Sequence, residues 1–242
     1  EAMHCRWSTA GFRGDVAGTL AGARDGLRLY DPAKHGGLGA EFGAHDPGVC
    51  AYFVTGHSFA QSGRPRAAAE NAERSIALSG RLDHVPTTVF AATNALTTFQ
   101  MIGDRAAVIR QAGRVKELAD QLDLPGPRSL ALFFDAWARA CGDGIDAGLQ
   151  AMEAEFPRVS ALGSMPVLYA GMIAGIRLEA GHAAQALELL DGVLAKVKEP
   201  GVGFFLPEIH RLRAECMLRV AHCDFDDAVR EFDTAILTAK LQ

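Results

Sequence analysis

The sequence predicts an all-α fold, an α-solenoid built from about six helical hairpins. The first observation is a series of short breaks, at 14–15, 63–65, 103–104, 142–144, 181–182 and 223–224. The first five combine glycine with a polar or acidic residue, and the last is Cys-Asp. From residue 63 onward these breaks recur about every 40 residues, a period typical of helical repeats. The second is a small or β-branched residue five positions after the start of each break, namely Thr19, Ala68, Val108, Ala147, Ala186 and Ala228. A small side chain there lets the second helix of a hairpin approach the first closely.

Apolar residues at helical spacing fill the segments between the breaks. Leu187, Leu190 and Leu194, for example, recur at i, i+3 and i+7. No segment shows the alternation that predicts a strand. The predicted hairpins are 1–12 with 15–29, 47–62 with 64–81, 85–102 with 104–122, 127–141 with 144–159, 166–180 with 182–198, and 206–220 with 224–240. We therefore expect a single domain over residues 1–242, with a long inter-repeat loop at about 30–46.

The longest interruption of this pattern runs from Tyr30 to Cys50. It contains two Asp-Pro pairs and five glycines, so the sequence predicts no regular helix through it. The breaks at Gly14 and Gly63 lie about nine residues further apart than the later spacing, which indicates an insertion within an intact array. We expect the insertion to pack back along the array and Pro47-Gly48 to begin the next hairpin.

Composition and charge narrow the class of protein. Apolar residues make up 49% of the 242 residues and charged residues 22%, which is ordinary for a globular protein. The net charge of −5 argues against direct nucleic-acid binding, which needs a basic face. The sequence shows neither a membrane span nor a signal peptide. Five scattered cysteines without a Cys-x-x-Cys pair suit a cytoplasmic protein. Because the chain opens at Glu1 in helical register, we expect it to be a fragment of a longer protein.

The sequence contains no catalytic signature, and we predict that this chain is not an enzyme and binds no metal or cofactor. Neither a Gly-x-x-x-x-Gly-Lys-Ser/Thr phosphate loop nor a Gly-x-Ser-x-Gly nucleophile elbow is present. Cys216, His222 and Cys223 cluster, and His4 adjoins Cys5, but neither group has the paired four-ligand spacing of structural zinc. Cys216 lies on the apolar side of its helix, so a buried thiol is the simpler interpretation.

Polar and aromatic residues on the first helices of the hairpins are the natural contact candidates, because in stacked repeats these helices usually line the binding surface. The candidates are Tyr52, His57, Asn94, Gln100, Asp135, Trp137, Arg139, Tyr169, Arg177, His210 and Arg211. The alternative is that most of them are solvated or fill gaps between repeats. Trp7 and Trp137 are predicted to lie in the core, and Arg211 to pair locally with Glu208 and Glu215 at helical spacing.

Four stretches resemble a known family. The order Leu-Tyr-Asp-Pro at 29–32, a long loop, and Asp-Pro-Gly-Val-Cys at 46–50, together with 18–28, 181–190 and 208–215, is similar to the C-terminal tetratricopeptide-like (TPR-like) region of certain bacterial multidomain proteins. These proteins carry a class III adenylate/guanylate cyclase domain and a STAND-type ATPase module. The resemblance covers about residues 4 to 219. It implies a right-handed α-solenoid of TPR-like repeats.

The resemblance implies a non-catalytic regulatory module, whose partners are the ATPase and cyclase domains of the same protein and a protein or small-molecule signal. Similar arrays occur in transcription regulators with a DNA-binding output, so a ligand-sensing repeat domain of such an ATPase-type regulator is an alternative. A passive oligomerisation scaffold and a small-ligand pocket near the long loop are two more.

Overall fold

The computed structural model describes residues 2–42, 45–142, 144–162, 165–196, 203–221 and 223–242. Within these ranges the chain forms fourteen α-helices and no β-strand, which confirms the predicted all-α class. The helices are α1 (Ala2–Arg13), α2 (Val16–Leu29), α3 (Pro32–His35), α4 (Leu38–Phe42), α5 (Pro47–Gln61), α6 (Pro65–Ser79), α7 (Val85–Met101), α8 (Arg105–Gln121), α9 (Pro125–Ala140), α10 (Ile145–Ala161), α11 (Pro166–Glu179), α12 (Ala183–Leu194), α13 (Leu206–Met217) and α14 (Phe225–Lys240). No helix among the described residues has both the length and the apolar character that crossing a membrane requires.

Twelve of these helices correspond to the predicted hairpin helices, and most of their bounds agree with the prediction within about three residues. The exception is the predicted helix 182–198. In the structure α12 ends at Leu194, and residues 197–202 lie outside the described part of the chain.

Four of the predicted breaks share one turn geometry. Gly14, Gly63, Gly103 and Gly181 all have positive φ angles, between 67° and 83°. At each of them the glycine N–H donates to the carbonyl three residues back, and the next N–H donates to the carbonyl five residues back. Because glycine has no Cβ, it adopts this left-handed conformation without the strain that other residues suffer. The recurring glycines therefore end one helix and direct the chain into the next.

A small or β-branched buried residue follows each turn at a fixed distance from the helix start. Four residues after the N-cap of the second helix stand Thr19, Ala68, Val108, Gly148, Ala186 and Ala228, all of them buried. The prediction of Ala147 is wrong, because Ala147 is exposed. The N-cap of α10 is Gly144, two residues after the start of its break, whereas every other second helix has its N-cap one residue after the start of the break. The buried position therefore falls on Gly148. A Cβ on Gly148 would lie 2.6 Å from the backbone nitrogen of Ala140.

The chain divides into two compact units, Glu1–Phe134 and Asp135–Gln242. In the first unit α1 packs with α2, α5 with α6 and α7 with α8, while α1 also contacts α5 and α5 contacts α7. In the second, α11 packs with α12 and α13 with α14, and α11 contacts α13. First helices of consecutive hairpins thus contact one another within each unit. The prediction of a single domain stays a prediction.

Each unit has its own apolar core. In the first, Trp7 packs with Ala23, Cys50, Ala51 and Val54, and a second cluster forms around Val49, Leu78 and Ala91. In the second, the core includes Ala174, Leu190, Ile209, Leu212 and Cys216. Trp7 is 3% exposed and Trp137 8% exposed, so the prediction that both tryptophans are core residues is confirmed.

The segment between α2 and α5 is more ordered than the sequence suggested. Two short helices, α3 and α4, form within it, so the predicted long loop is partly helical, although no helix runs through the whole stretch. Asp31 caps α3 by accepting a hydrogen bond from the Ala33 N–H at 3.0 Å, and Pro32 occupies the first helical position. The Asp-Pro pair that breaks α2 therefore starts another helix. Gly43 and Ala44 lie outside the described residues, and α5 begins at Pro47 as predicted.

Candidate functional site

Residues 30–46, here called the insertion segment, are joined at their two ends by Asp46. The Tyr30 hydroxyl donates to Asp46 Oδ2 at 2.9 Å. Asp46 Oδ1 accepts from the Val49 N–H at 2.9 Å and so caps α5, and the Asp46 N–H donates to Thr87 Oγ1 on α7 at 2.9 Å. Asp46 has no exposed surface. One buried carboxylate residue thus ties the start of the segment, its end and the next hairpin together.

Burial shifts the titration of both residues of this pair. Loss of hydration raises the pKa of the Asp46 carboxyl, and hydrogen bonds from the Val49 N–H and the Tyr30 hydroxyl oppose that rise. Burial also raises the pKa of Tyr30 well above its usual value, and the hydrogen bond to Asp46 raises it further. Tyr30 is therefore the donor in this pair at neutral pH.

The insertion segment packs closely on the helices around it. A Cβ on Gly48 of α5 would lie 2.6 Å from the Tyr30 ring. Within the segment itself, a Cβ on Gly39 would lie 2.8 Å from the carbonyl carbon of His45. A cavity of about 160 Å³ remains, with Met3, Trp7 and Leu38 among its lining residues. Its position between the segment and helices α1, α2 and α5 supports the expectation that the segment packs back on the array.

A larger groove of about 650 Å³ lies between α2, α5 and α6. Its apolar lining includes Leu20, Leu27 and Phe59, and three exposed arginines border it, Arg24, Arg28 and Arg74. Arg24 and Arg28 both lie within ion-pair distance of Asp25, at 3.2 and 3.8 Å. The polar lining residues are Tyr52, Thr55 and Asn71. These described lining residues include no histidine, cysteine or carboxylate.

Of the sequence-predicted candidates, Tyr52 lines this groove, whereas His57 on the same helix is buried. His57 is 6% exposed, and its ring meets Phe53 edge-on at 4.3 Å. Burial lowers the pKa of His57 to about 3, and a hydrogen bond with the Asn94 backbone only partly offsets the effect. His57 is therefore a neutral core residue.

Two further candidates, Asn94 and Gln100, lie on α7. The Asn94 side chain donates to the Phe90 carbonyl of its own helix at 2.8 Å. Gln100 is half-buried, and its side-chain oxygen is buried without a hydrogen-bond partner in the described part of the chain. Neither belongs to the groove lining.

The candidates of the second unit form ion pairs or lie in the core. Arg177 on α11 contacts Glu153 of α10 at 2.7 Å and donates to the Gln185 carbonyl at 3.1 Å. Asp135 pairs with Arg139 at 2.5 Å within α9. Tyr169 and Trp137 are 3% and 8% exposed.

Helix α13 carries the last two candidates. His210 Nδ1 lies 2.6 Å from a carboxylate oxygen of Glu231 on α14. Arg211 pairs with Glu208 at 2.6 Å and Glu215 at 2.5 Å, which confirms the predicted local pairing. The structure therefore does not bring the predicted contact residues together at one site, and their role as contacts stays a prediction.

The predicted buried thiol at Cys216 is confirmed. Cys216 has no exposed surface, and burial raises the pKa of its thiol to about 11. His222, which the sequence placed beside it as a possible ligand, lies outside the described residues.

A different set of metal-ligand side chains meets in the first unit. One ligand atom each from His4, His45 and Cys50 lies within 4.8 Å of the other two. Sequence analysis missed this group because 41 residues separate His4 from His45, and no local spacing marks them. Only the return of the insertion segment to α1 places them side by side.

Comparison with known proteins gives one distant relative. The chain is 27% identical over 232 residues to an uncharacterized protein of Rhizobium meliloti (strain 1021). The match covers 95% of this chain but only 22% of that relative's length. No family model matches the chain, and no solved structure matches it.

Proposed function

We propose that this chain is a non-catalytic regulatory module, a right-handed TPR-like α-solenoid within a cytoplasmic multidomain signalling protein. Its partners in this proposal are a STAND-type ATPase module and a class III cyclase output domain of the same protein. The module holds these domains in a restrained arrangement until a protein or small-molecule signal binds it.

The repeated hairpin is the single observation that carries the proposal. Four turns share a left-handed glycine and the same pair of backbone hydrogen bonds, and six second helices share a buried residue four positions after the N-cap. Stacked hairpins of this kind serve mostly as binding scaffolds. Their function therefore lies in what contacts them.

The length of the relative also supports a module within a larger protein. About four-fifths of the Rhizobium meliloti protein lies outside the matched region, since the match covers 22% of it. The order of residues at 29–32 and 46–50, which resembles the cyclase-associated arrays, supports the choice of output domain.

The groove between α2, α5 and α6 is the surface we assign to partner contact. It combines apolar lining with three exposed arginines and with Tyr52, residue types that often dominate binding energy at interfaces. An acidic, partly apolar segment of a neighbouring domain fits this chemistry.

The test compares the full-length parent protein with a form that lacks this region and with a Tyr52→Ala, Arg74→Glu double variant. Both changes should raise or uncouple cyclic nucleotide production and ATP hydrolysis. The matched control is Arg66→Glu, since Arg66 is exposed and pairs only with Glu70 of its own helix among the described residues. A parent protein without cyclase or ATPase activity, or with activities that deletion leaves unchanged, would contradict the proposal.

A second candidate, ligand sensing, is favoured by the size of the groove. A volume of about 650 Å³ falls within the range of small-molecule pockets. Thermal-shift screening with nucleotides, sugars and acyl compounds tests it, because a ligand at 100 times its Kd stabilises by about 2.7 kcal/mol. A flat response to all three classes would reject it.

A further inference from the structure

We infer that His4, His45 and Cys50 form a binding site for a single Zn²⁺ ion. The three residues come from separate places: α1, the residue that precedes the N-cap of α5, and the first turn of α5. One ring nitrogen from each histidine and the Cys50 Sγ all lie within 4.8 Å of one another. This inference does not depend on the proposed regulatory function.

The distances are close to those that a zinc ion requires. Zinc–nitrogen bonds of about 2.0 Å and zinc–sulfur bonds of about 2.3 Å in a tetrahedral site place the ligand atoms roughly 3.3–3.7 Å apart. The three atoms must therefore approach one another by up to about 1.5 Å. His4 is half-buried on the first helix, where rotation of its side chain supplies this movement.

The surroundings hold His45 in place. The His45 ring stacks on Phe90 with a centroid distance of 3.7 Å and an interplanar angle of 2°. The His4 ring meets the His45 ring edge-on at 5.1 Å. Asp46, fixed by Tyr30 and Thr87, follows His45 directly. A site whose ligands are already oriented loses less conformational entropy when the ion binds.

The ligand set selects the class of metal. Imidazole nitrogen and thiolate sulfur suit zinc and other borderline or soft ions, whereas magnesium and calcium require oxygen ligands. Cys50 is 2% exposed, and binding replaces its proton with the ion. All three residues also make interactions within the fold, so the ion competes with those contacts as well as with protons.

The site has three protein ligands and an open fourth position. Two neutral imidazoles and one thiolate leave a net charge of +1 around Zn²⁺. The Asp46 carboxylate interacts electrostatically with His4 and so offsets part of this charge. Water occupies the fourth position in such three-ligand sites.

Cobalt titration of the reduced, metal-free chain tests the inference, because Co²⁺ reports on zinc sites through its absorption. We expect a thiolate-to-cobalt charge-transfer band and intense visible bands of tetrahedral Co²⁺, saturating at one ion per chain and abolished by Zn²⁺. Zn²⁺ should also raise Tm, and a chelator should reverse the rise. Absence of the charge-transfer band at excess cobalt would overturn the inference.

Matched variants identify the ligands. Cys50→Ser should remove the charge-transfer band, whereas Cys5→Ser should keep it, since Cys5 is an exposed thiol on α1 outside the cluster. His4→Gln changes a half-buried side chain, so the variant is expected to fold, and it should weaken zinc binding by more than about tenfold. His35→Gln, on α3 and outside the cluster, should bind as the unaltered protein does. A band that survives in Cys50→Ser, or His4→Gln binding with full affinity, would show that the ion binds elsewhere.

Discussion

The hairpin turns and the insertion segment both connect one long helix to the next, but different interactions hold them in place. A hairpin turn such as Gly103-Asp104 ends one helix with a left-handed glycine and begins the next with an exposed aspartate that accepts from the Ala107 N–H at 2.9 Å. The insertion segment begins α5 with an aspartate too, Asp46, which accepts from the Val49 N–H at the same distance. Asp46, however, is fully buried and also bonds to Tyr30 and Thr87.

The same local signal, an aspartate that caps a helix, can therefore make only local hydrogen bonds or also bond to residues far away in the chain. In the turns, every hydrogen bond that defines the geometry lies within about five residues. In the insertion segment the defining bonds span 16 and 41 residues. The turns should therefore respond to mutation mildly and independently, and the segment strongly and as a unit.

The largest expected effect tests the close approach that the hairpin turns produce. Gly148→Val places side-chain atoms against Ala140, where even a Cβ would lie 2.6 Å from the backbone nitrogen. We expect a loss of about 3 kcal/mol in the free energy of unfolding, measured by chemical denaturation. Ala147→Val is the control, because Ala147 is exposed, and it should change stability by less than about 0.5 kcal/mol. Equal losses of stability in the two variants would contradict a close approach of α9 and α10 at Gly148.

The next effect compares the two N-cap aspartates directly. Asp46→Ala removes a cap and leaves the Tyr30 hydroxyl without its acceptor, so we expect a loss of about 3 kcal/mol. Asp104→Ala removes only an exposed cap and should cost about 1 kcal/mol.

Denaturation of both alanine variants in the presence of a chelator separates this effect from metal binding. The loss of stability in Asp46→Asn should lie between the losses in Asp46→Ala and Asp104→Ala, because the amide still has an oxygen that can accept one hydrogen bond. Equal losses for Asp46→Ala and Asp104→Ala would show that the tertiary contacts of the insertion segment add nothing to its cap.

A smaller effect concerns His57, which is buried on α5. The unfolded chain binds a proton at this residue below about pH 6.5, whereas the folded chain does so only near pH 3. The stability contributed by neutral His57 is therefore complete above pH 6.5 and is lost progressively as the pH falls toward 3. The loss amounts to about 2 kcal/mol at pH 5.

Denaturation midpoints between pH 7 and pH 4 check this pH dependence. In His57→Gln the unfolding free energy should fall less steeply with decreasing pH, because all other ionisable groups are common to both proteins. The slope is the readout, so a lower absolute stability of the variant does not affect the test. Parallel slopes would contradict the buried, neutral state of His57.

The smallest effect isolates the turn glycine itself. Gly103 has φ +72°, and a Cβ at this position would meet no atom within 4 Å, so Gly103→Ala should cost about 1 kcal/mol through backbone strain alone. Gly113→Ala in the middle of α8, also without a nearby atom, should instead stabilise by about 1 kcal/mol. Changes in Tm of opposite sign for the two variants would support this difference between a turn glycine and a mid-helix glycine. A stabilising Gly103→Ala would refute it.

Much of the fold was predictable because its signals are local. Glycine, capping aspartate and first-turn proline mark helix ends through interactions within a few residues, so twelve helices were found, eleven of them close to their observed bounds. Local counting failed at Ala147, because the start of α10 shifted by one residue and moved the buried position to Gly148. It also missed α3 and α4, which are four and five residues long and too short for apolar periodicity to reveal.

The candidate site was less predictable. Tyr52 and His57 were both contact candidates because they lie on a first helix. Tyr52 lines the groove, whereas His57, five residues later, is buried, since the burial of a polar residue depends on which neighbouring helix covers it. The arginines of α2 escaped prediction because they lie on a second helix, whereas only first helices were considered.

The sequence by itself determined the helical class, the hairpin order and the position of the insertion segment, because each depends on backbone preferences that individual residues express. Only the tertiary structure decided that the segment returns to α1 and α7, that Asp46 links Tyr30 to Thr87, and that His4 and His45 meet Cys50. These contacts join residues far apart in the chain. They form only when apolar burial has brought the helices together, and the spacing of residues in the sequence does not predict which distant residues then meet.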